Sequence, residues 1–388
     1  MGVELAAFAP DVVEGWPTSM RILVFNWRDL AHPRAGGAEV YTHRVAEEWV
    51  KEGHHVTLFC AAVEGRPETE EMNGVRLIRR GSRYSVYREA RQYYCREGRG
   101  NYDIVIDEIN TRPFLTPKWV DDVPVIALAH QVCRELWFYQ TPWPVALVGR
   151  YVLEPHWLRH YRDVPTMTVS ESSRISLEEH GLRHIMVVPE GYDQSYTCHN
   201  VARESVPTIV FLGRLEPHKR PDHAVRAFQL LRARIPEAKM WVIGSGSMEA
   251  ALQRIAPEGV EFMGRLPDRE KMERLAKADV VVVTSVREGW GLVVTEAARV
   301  GTPTIAYDVP GLRDSVKAAG GNLCSPNPQD LALKLFHHFG NEAGQRRNYL
   351  SNLGGTASWS SVAHTMERAF LQMKYEKSDS QVPSLKVP

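Results

Sequence analysis

The sequence contains little cysteine, and its cysteines form no recognisable pattern. Disulfide frameworks and zinc sites use paired or closely spaced cysteines, whereas the five in these 388 residues are far apart and show no CxxC or CxxH spacing. They are Cys60, Cys95, Cys133, Cys198 and Cys324. The set predicts reduced thiols in a cytoplasmic protein rather than a disulfide-bonded or zinc-binding fold.

Long apolar runs and a net charge are missing as well. No stretch of about 18 apolar residues occurs, so no membrane-spanning helix is predicted. The 47 Lys and Arg residues balance the 47 Asp and Glu residues, which argues against nucleic acid as a partner. Residues 1–19 lack the basic start of a secretion signal and are predicted to be a disordered extension. The polar residues 377–388 are predicted to be a disordered tail.

What the sequence does contain is a regular alternation of short apolar runs and helical patterns. This alternation is typical of parallel sheets covered by helices. Strands are predicted at 21–26, 55–60, 75–79, 103–107, 123–129, 166–169, 208–212, 239–243, 260–262, 280–284 and 304–306. Helices are predicted at 38–52, 221–235, 249–255, 269–276 and 291–300.

A polar break without periodicity at 192–206 divides this pattern in two. The length of the chain fits two domains, so we predict an α/β protein with two doubly wound, Rossmann-like domains, residues 20–195 and 196–357. Ligands bind such sheets beyond the carboxyl ends of their strands, which places the expected site in a cleft between the domains. One hypothesis for a final helix in residues 358–376 is that it packs back on the first domain.

Glycines and cations follow the first predicted strand of each domain. Gly36 and Gly37 precede a predicted helix, where backbone N–H groups can approach an anion; an ordinary loop–helix junction would look the same. In the second domain, Gly213 begins the turn GRLEPHK, in which Arg214 and Lys219 are five residues apart. Both cations would suit one phosphate-bearing ligand.

The segment EGWGLVVTE at residues 288–296 follows the predicted strand 280–284. Its glycines permit close approach of a phosphate to a helix N-terminus, and its carboxylates, Glu288 and Glu296, can accept hydrogen bonds from hydroxyl groups. In the first domain, His130 follows the predicted strand 123–129, where a histidine can donate to a substrate oxygen. A helix-start acid and a core histidine are the alternatives without a ligand.

In this order along the chain, these elements resemble the retaining glycosyltransferases of family 4, which have the two-domain GT-B fold. The resemblance covers about residues 20–375 and includes GSGS at 244–247 and GRLP at 264–267. Its most specific element is the E-x7-E pattern at 288–296, with an aromatic residue between two glycines. One departure is Glu190, in PEGYD where the family often has PNG[VI]D; no role is carried over to it.

The resemblance implies roles for single residues. Arg214 and Lys219 would hold the donor diphosphate, and His130 would bind the donor sugar. Glu288 would contact the hydroxyls of the transferred sugar, and Glu296 those of the ribose. The other implied donor-binding residues lie around the diphosphate or, for the 265–266 backbone, face the base: Gly36, Gly37, Gly213, Arg265, Leu266, Gly289, Trp290, Gly291, Leu292 and Val293.

The implied reaction moves a hexose-type sugar from a UDP- or GDP-linked donor to an acceptor hydroxyl. The configuration would be retained by front-face displacement, in which the leaving diphosphate stays close and assists deprotonation of the acceptor. No second carboxylate is an evident covalent nucleophile. Because the sequence has no Asp-x-Asp element, we expect a metal-independent reaction without a cofactor other than the nucleotide-sugar co-substrate.

Two stretches of the first domain bear on the acceptor. Residues 76–99 contain eight arginines against two glutamates, with four tyrosines among them, and residues 136–161 are rich in aromatic side chains. One hypothesis is peripheral contact with the inner membrane face and a lipid-linked acceptor. Another is that the second stretch stacks on a small-molecule or glycan acceptor. A solvated arginine face and an ordinary aromatic core are the simpler interpretations.

Three other functions fit parts of the pattern. A GT-B sugar-nucleotide epimerase would use the same donor cleft without an acceptor. A non-catalytic sugar-nucleotide-binding protein would share the fold, although such proteins usually lose the charged site residues that are present here. A nicotinamide oxidoreductase is suggested by the Gly-Ser-Gly at 244–246, but the third glycine of the GxGxxG fingerprint is missing.

Overall fold

The structure is a computed structural model that describes residues 19–192, 201–340 and 357–379. The predicted N-terminal extension up to residue 18, residues 193–200 of the polar break and residues 380–388 of the predicted tail lie outside these ranges. Residues 377–379 are helical, so the prediction of disorder is wrong for them. None of the described helices is long and apolar enough to cross a bilayer.

The first domain is built on one twisted sheet. Its strands are β1 (Arg21–Phe25), β2 (His55–Cys60), β3 (Thr69–Met72), β4 (Val75–Arg79), β5 (Ile104–Glu108), β6 (Val125–Leu128), β7 (Thr166–Thr168) and β8 (Ile185–Val187). They lie in the order β3-β4-β2-β1-β5-β6-β7-β8, with β3 antiparallel at the edge and the other neighbours parallel. In β1 the four residues after Arg21 are all buried, as expected of a strand covered on both faces.

Helices cover this sheet. They are α1 (Gly37–Lys51), α2 (Val86–Tyr93), α3 (Trp137–Gln140), α4 (Trp143–Val148), α5 (Glu154–Leu158) and α6 (Glu171–Glu178). Helix α1 follows β1 directly and buries Tyr41, Val45 and Trp49, a spacing of four residues that places them on one helical face. Its N-terminus therefore lies at the carboxyl end of β1.

The second domain repeats this arrangement. Its strands are β10 (Thr208–Leu212), β11 (Lys239–Ile243), β12 (Val260–Gly264), β13 (Val280–Val283), β14 (Thr304–Tyr307) and β15 (Asn322–Cys324). Its helices are α7 (Pro221–Arg232), α8 (Glu249–Ile255), α9 (Asp268–Lys277), α10 (Leu292–Arg299), α11 (Leu312–Ala318) and α12 (Pro328–Gly340). The strand order is β12-β11-β10-β13-β14-β15, and every pairing is parallel. The prediction of two doubly wound domains is confirmed.

The end of the chain returns to the first domain. A short strand, β16 (Ala357–Ser358), pairs in parallel with β9 (Gly191–Tyr192), the last described strand before the second domain. Helix α13 (Trp359–Asp379) then packs on α1. The Trp49 indole donates to the Ala363 carbonyl at 3.3 Å, and its ring lies 5.6 Å from that of Phe370.

The order of the strands fixes where each sheet can bind a ligand. In the first sheet the order reverses between β1 and β5, and in the second between β10 and β13. Loops that leave neighbouring strands at such a switch point turn to opposite faces and open a crevice between them. The loops at 26–36, 213–219 and 284–291 all begin at these switch points.

Candidate functional site

The centre of the cleft in the second domain is an ion pair between Lys219 and Glu288. Lys219 Nζ donates to Glu288 Oε1, and the Ser285 hydroxyl donates to the same oxygen at 2.5 Å. Burial opposes ionisation of Glu288, but the neighbouring Lys219 outweighs it and lowers the pKa of the carboxyl. The β10 and β13 loops are thus joined by a charged hydrogen bond, with two further Lys219 protons available to a ligand.

Arg214 lies in the same loop as Lys219, close enough to Arg28 of the first domain for the two charges to repel each other. Burial and the positive charge of Arg214 together lower the pKa of Arg28. Arg28 is held by Glu39, whose Oε1 lies 2.6 Å from Nη2 of Arg28, while Arg214 forms no ion pair within the described ranges. A free guanidinium in a cleft between two domains is suited to a phosphate-bearing ligand.

The Gly36–Gly37 loop reaches across the cleft. Glu39 Oε2 accepts a hydrogen bond from the Gly36 N–H at 2.6 Å, which closes the first turn of α1. A Cβ on Gly37 would lie 3.4 Å from Leu292 Cδ1 of the second domain. The structure therefore brings this loop against the start of α10, where the E-x7-E segment lies.

His130 lies in a buried cluster of acidic groups below this junction. Its Nε2 is 3.5 Å from Glu108 Oε1, and its Nδ1 is 3.9 Å from Glu190 Oε1. Burial disfavours the imidazolium, but the carboxylates of Glu108 and Glu190 outweigh it and raise the pKa of His130. Both ring nitrogens are buried, and neither forms a hydrogen bond of good geometry with a described residue.

Glu108 is fixed within this cluster and Glu190 is not. Glu108 Oε2 accepts hydrogen bonds from Asn26 at 2.7 Å and Thr42 at 2.5 Å. Glu190 is 4% exposed, and its Oε2 has no partner in the described part of the chain. Burial raises the pKa of Glu190 to about 7, with the negative charge of Glu288 adding to the shift and His130 opposing it.

We expect Glu190→Gln to stabilise the protein at alkaline pH and to have little effect near pH 4. The Glu190 carboxyl binds its proton more tightly in the folded state than in the unfolded state. The free energy of unfolding of the wild type therefore falls as the pH rises from the ordinary pKa of 4.5 to about 7. At about 1.4 kcal/mol per pKa unit, the variant should gain roughly 3 kcal/mol over the wild type at pH 8.5. Urea unfolding at both pH values measures it; an equal gain at both would contradict the assignment.

Glycine backbone allows the loop at 284–291 to close tightly around the site. Gly291 precedes α10 with φ +98°, a conformation that L-residues with side chains rarely adopt. Gly311 has φ +82°, and a Cβ there would lie 2.1 Å from the Glu288 carbonyl oxygen. The backbone of Glu288 is consequently packed directly against the residue that precedes α11.

The neighbouring donor-site candidates divide between the cleft wall and its outer rim. Trp290 is 6% exposed, packs with the apolar core of the first domain and donates its indole N–H to Thr295 at 2.9 Å. Glu296 accepts a hydrogen bond from Lys271 at 2.9 Å. Arg265 is exposed after β12. Lys271 is a cation beside Glu296 that the sequence interpretation did not single out.

Other residues of the site were also missed. The sequence predictions include neither Glu39 nor Glu108, although Glu108 ends β5 at the switch point. That position was an available signal, since β5 is a neighbour of β1 in the sheet. Glu190 was noted as a departure from the family pattern, and nothing in the sequence indicated its burial beside His130.

One cluster in the described ranges has the geometry of metal ligands, but it lies outside the cleft. Glu52, His54 and Glu367 join the end of α1 to α13. His54 Nδ1 accepts the Met20 N–H at 3.1 Å, so the proton of the neutral ring is on Nε2, which lies 3.1 Å from Glu367 Oε1. Both nitrogens of His54 thus have hydrogen-bond partners, and the cluster holds α13 against the end of α1.

Comparison with known proteins adds two family matches. The model described as Glycosyltransferase Family 4 matches residues 35–196, and the one described as Glycosyl transferases group 1 matches residues 199–352. Together they cover most of both domains, including the loops at 213–219 and 284–291.

Individual relatives agree with these matches. A D-inositol 3-phosphate glycosyltransferase of Nocardia farcinica is 28% identical over 92% of this chain and 89% of that protein. A GDP-mannose-dependent monoacylated alpha-(1-6)-phosphatidylinositol monomannoside mannosyltransferase of Corynebacterium glutamicum is 32% identical, over 34% of this chain and 37% of that protein. The solved sucrose-phosphate synthase of Thermosynechococcus elongatus superposes with a TM-score of 0.74 at 18% identity, covering 92% of this chain and 100% of that chain. The structural likeness shows the fold.

Proposed function

Because the chain belongs to the family 4 glycosyltransferases with the GT-B fold, we propose that it transfers a hexose-type sugar from a UDP- or GDP-linked donor to an acceptor hydroxyl with retention of configuration. The observation that carries the proposal is the placement of Arg214, Lys219 and Glu288 at the switch point of the second sheet. The two cations there suit the diphosphate of a nucleotide sugar, and the carboxylate suits its sugar.

The cations suit the diphosphate. Arg214 has no ion pair in the described part of the chain, and the Lys219 ammonium keeps two protons free when one is given to Glu288. Departure of a nucleoside diphosphate places negative charge on its terminal phosphate, and fixed cations in a cleft stabilise that charge without reorganisation. Arg214 and Lys219 supply what a divalent ion would otherwise supply, so we propose that the reaction is metal-independent.

The carboxylates suit the sugar. Glu288 is held by Lys219 and Ser285 through one oxygen, Oε1, which leaves Oε2 to accept hydrogen bonds from sugar hydroxyls. A carboxylate held in this way is better placed to orient a sugar than to attack its anomeric carbon. The leaving phosphate then remains as the base for the acceptor hydroxyl, which is the basis for proposing front-face displacement.

Two arginines whose guanidinium groups lie over aromatic rings, on the first-domain side of the cleft, suggest where the acceptor binds. The Arg28 guanidinium lies 4.2 Å from the Trp27 ring centroid, and that of Arg112 lies 4.2 Å from the Tyr87 ring centroid. Arg112 is exposed and has no ion pair within the described ranges. The Nocardia farcinica relative is named for an inositol phosphate, and a hydroxyl acceptor with a negative charge would suit these arginines.

A thermal-shift panel of nucleoside diphosphates and their sugars tests the donor assignment. We expect one base to raise the melting temperature of the wild type, because a ligand that binds the folded state stabilises it. The Arg214→Ala variant should lose that shift, and EDTA should not change it. The matched control is Arg254→Ala, because Arg254 is exposed on α8 and has no ion pair within the described ranges.

Product analysis with the selected donor separates transfer from its alternatives. Acceptor-dependent release of nucleoside diphosphate, with an anomeric NMR signal of the donor's configuration and equal turnover in EDTA, is expected. Epimerised donor without an acceptor would indicate the epimerase, and donor binding without any turnover would indicate a sensor. An inverted product or turnover lost in EDTA would contradict retention or metal independence, respectively.

A further inference from the structure

Half of the large hydrophobic side chains that are exposed in the described part of the chain lie in one short helical run of the first domain. From Trp143 to Tyr161, helix α4, a π-helical turn, α5 and a 3₁₀ turn follow one another without a break. The exposed fractions are 68% for Trp143, 49% for Val145 and Val148, 63% for Tyr151 and 58% for Val152. We call these five residues the outer face.

The inner side of the same run is closely packed, so the exposure of the outer face does not result from poor packing of the run. A Cβ on Gly149 would lie 2.3 Å from the Trp137 ring, which shows how closely the run approaches α3. Glu154 is 2% exposed and accepts hydrogen bonds from the Arg134 N–H at 3.0 Å and the Trp137 indole at 3.2 Å. A helix with its inner side packed in this way normally presents polar residues to water, and this one presents valines and aromatics.

Apart from the buried Glu154, the charged side chains of the run itself are cationic. Glu154 is the only acidic residue between positions 136 and 162, and it points inward. Arg150 lies 5.2 Å from the ring of the exposed Tyr151. At the far end of the run, burial and then the positive charges of Lys118 and Arg159 lower the pKa of His160. In a chain with balanced charges overall, this surface is apolar with a cationic border.

The outer face also stands beside the entrance to the cleft. On the neighbouring helix α3, the Tyr139 hydroxyl accepts a hydrogen bond from Arg220 at 3.0 Å. Just before α3, Glu135 pairs with Arg287 at 2.9 Å. Arg220 follows the 213–219 loop, and Arg287 adjoins Glu288. Anything that binds to the outer face would therefore lie next to the cleft in which the sugar is transferred.

We propose that the outer face docks the protein on an anionic lipid bilayer. Exposed Trp and Tyr suit the headgroup region, the valines suit the acyl boundary beneath it, and the cationic border suits anionic lipids. Docking would place the cleft entrance at the membrane surface, where a lipid-linked hydroxyl acceptor is found.

Other occupants fit this surface less well. A second copy bound through a two-fold axis would bring the same cations of both chains together, because a two-fold contact uses the same patch on each chain. A glycan would need hydrogen-bonding partners for its hydroxyls, which Val145, Val148 and Val152 lack.

Flotation with vesicles tests the proposal without nucleotide or acceptor, so that its failure would leave the proposed reaction untouched. The purified full chain is mixed at low salt with vesicles of phosphatidylcholine alone or of phosphatidylcholine with phosphatidylglycerol. We expect co-flotation with the mixed vesicles, weaker binding at high salt and little binding to phosphatidylcholine alone.

The variants assign binding to the outer face. Trp143→Ser with Tyr151→Ser should lower the bound fraction on mixed vesicles by about tenfold or more, because it removes both interfacial anchors. Ile255→Ser with Leu333→Ser is the matched control, since these second-domain side chains are exposed to 49% and 47%, and it should bind as the wild type does. Circular dichroism melting verifies that both variants fold.

Three results would overturn the proposal. The wild type could stay at the bottom of the gradient at low salt with mixed vesicles. The outer-face variant could float as well as the control variant, which would assign binding to another surface. Sedimentation could show a dimer that the outer-face variant abolishes, which would identify a second copy as the occupant.

Discussion

Replacing Lys219 with alanine should lower kcat/KM for the nucleotide sugar by about 10²–10³-fold, or roughly 3–4 kcal/mol of transition-state stabilisation. The substitution removes a fixed cation from the place where the leaving diphosphate gains charge. It also leaves Glu288, whose side chain is only 14% exposed, without its charge partner, and an unpaired carboxylate near the diphosphate repels it. Steady-state kinetics at saturating acceptor measures the loss.

Lys219→Arg and Lys334→Ala are the two controls for this prediction. The arginine keeps the positive charge and should recover part of the rate, whereas Lys334 is exposed on α12 and its loss should change nothing. The thermal shift caused by nucleoside diphosphate should shrink in Lys219→Ala as well. A variant with normal kcat/KM would show that Lys219 serves only to neutralise Glu288.

The second large effect concerns a residue that no donor needs to touch. Gly311→Ala should lower kcat by about a hundredfold, because its new Cβ would lie 2.1 Å from the Glu288 carbonyl oxygen and 2.8 Å from that of Gly289. Backbone cannot yield as a flexible side chain does, so the loop that carries Glu288 must shift. A displacement of about 1 Å in a positioned group costs on the order of 10²-fold in rate.

Gly301 offers a matched control within the same domain. Its φ of +75° is close to the +82° of Gly311, but a Cβ there would meet nothing within 4 Å. Gly301→Ala should therefore cost about 1 kcal/mol of stability through backbone strain and leave kcat unchanged. Equal kinetic effects of the two alanines would show that strain, and not displacement of Glu288, governs the rate.

The strands illustrate how far the sequence predicts the fold. The short run of β-branched residues in β13, VVVV, favours a buried strand, and its place in the β–α alternation agrees with that. In contrast, β3 reads TEEM and carries no apolar pattern; only its antiparallel pairing with β4 makes it a strand. The predicted strands omitted β3, and also β8 and β15, which have three residues each.

The candidate site divides in the same way. Loops at the ends of strands are local features, so Arg214, Lys219 and Glu288 were found from motifs and strand positions. The approach of Glu108 and Glu190 to His130 depends on how three distant segments meet, and each glutamate alone resembles a solvated acid. Composition was equally uninformative about exposure: the tyrosines at 93 and 94 are buried, whereas Trp143 and Tyr151 in a similar aromatic stretch are exposed.

The pairing of β9 with β16 has a mechanical consequence. The chain leaves the first domain after β9 and comes back to it at β16, and these two strands are hydrogen-bonded side by side, with Gly191 opposite Ala357. Both connections to the second domain therefore meet the first domain at one place, and we expect a swing of one domain against the other to pivot close to this pairing. Glu190 immediately precedes β9. A swing that opens the cleft would turn close to this buried acid, while the loops at its far edge travel furthest.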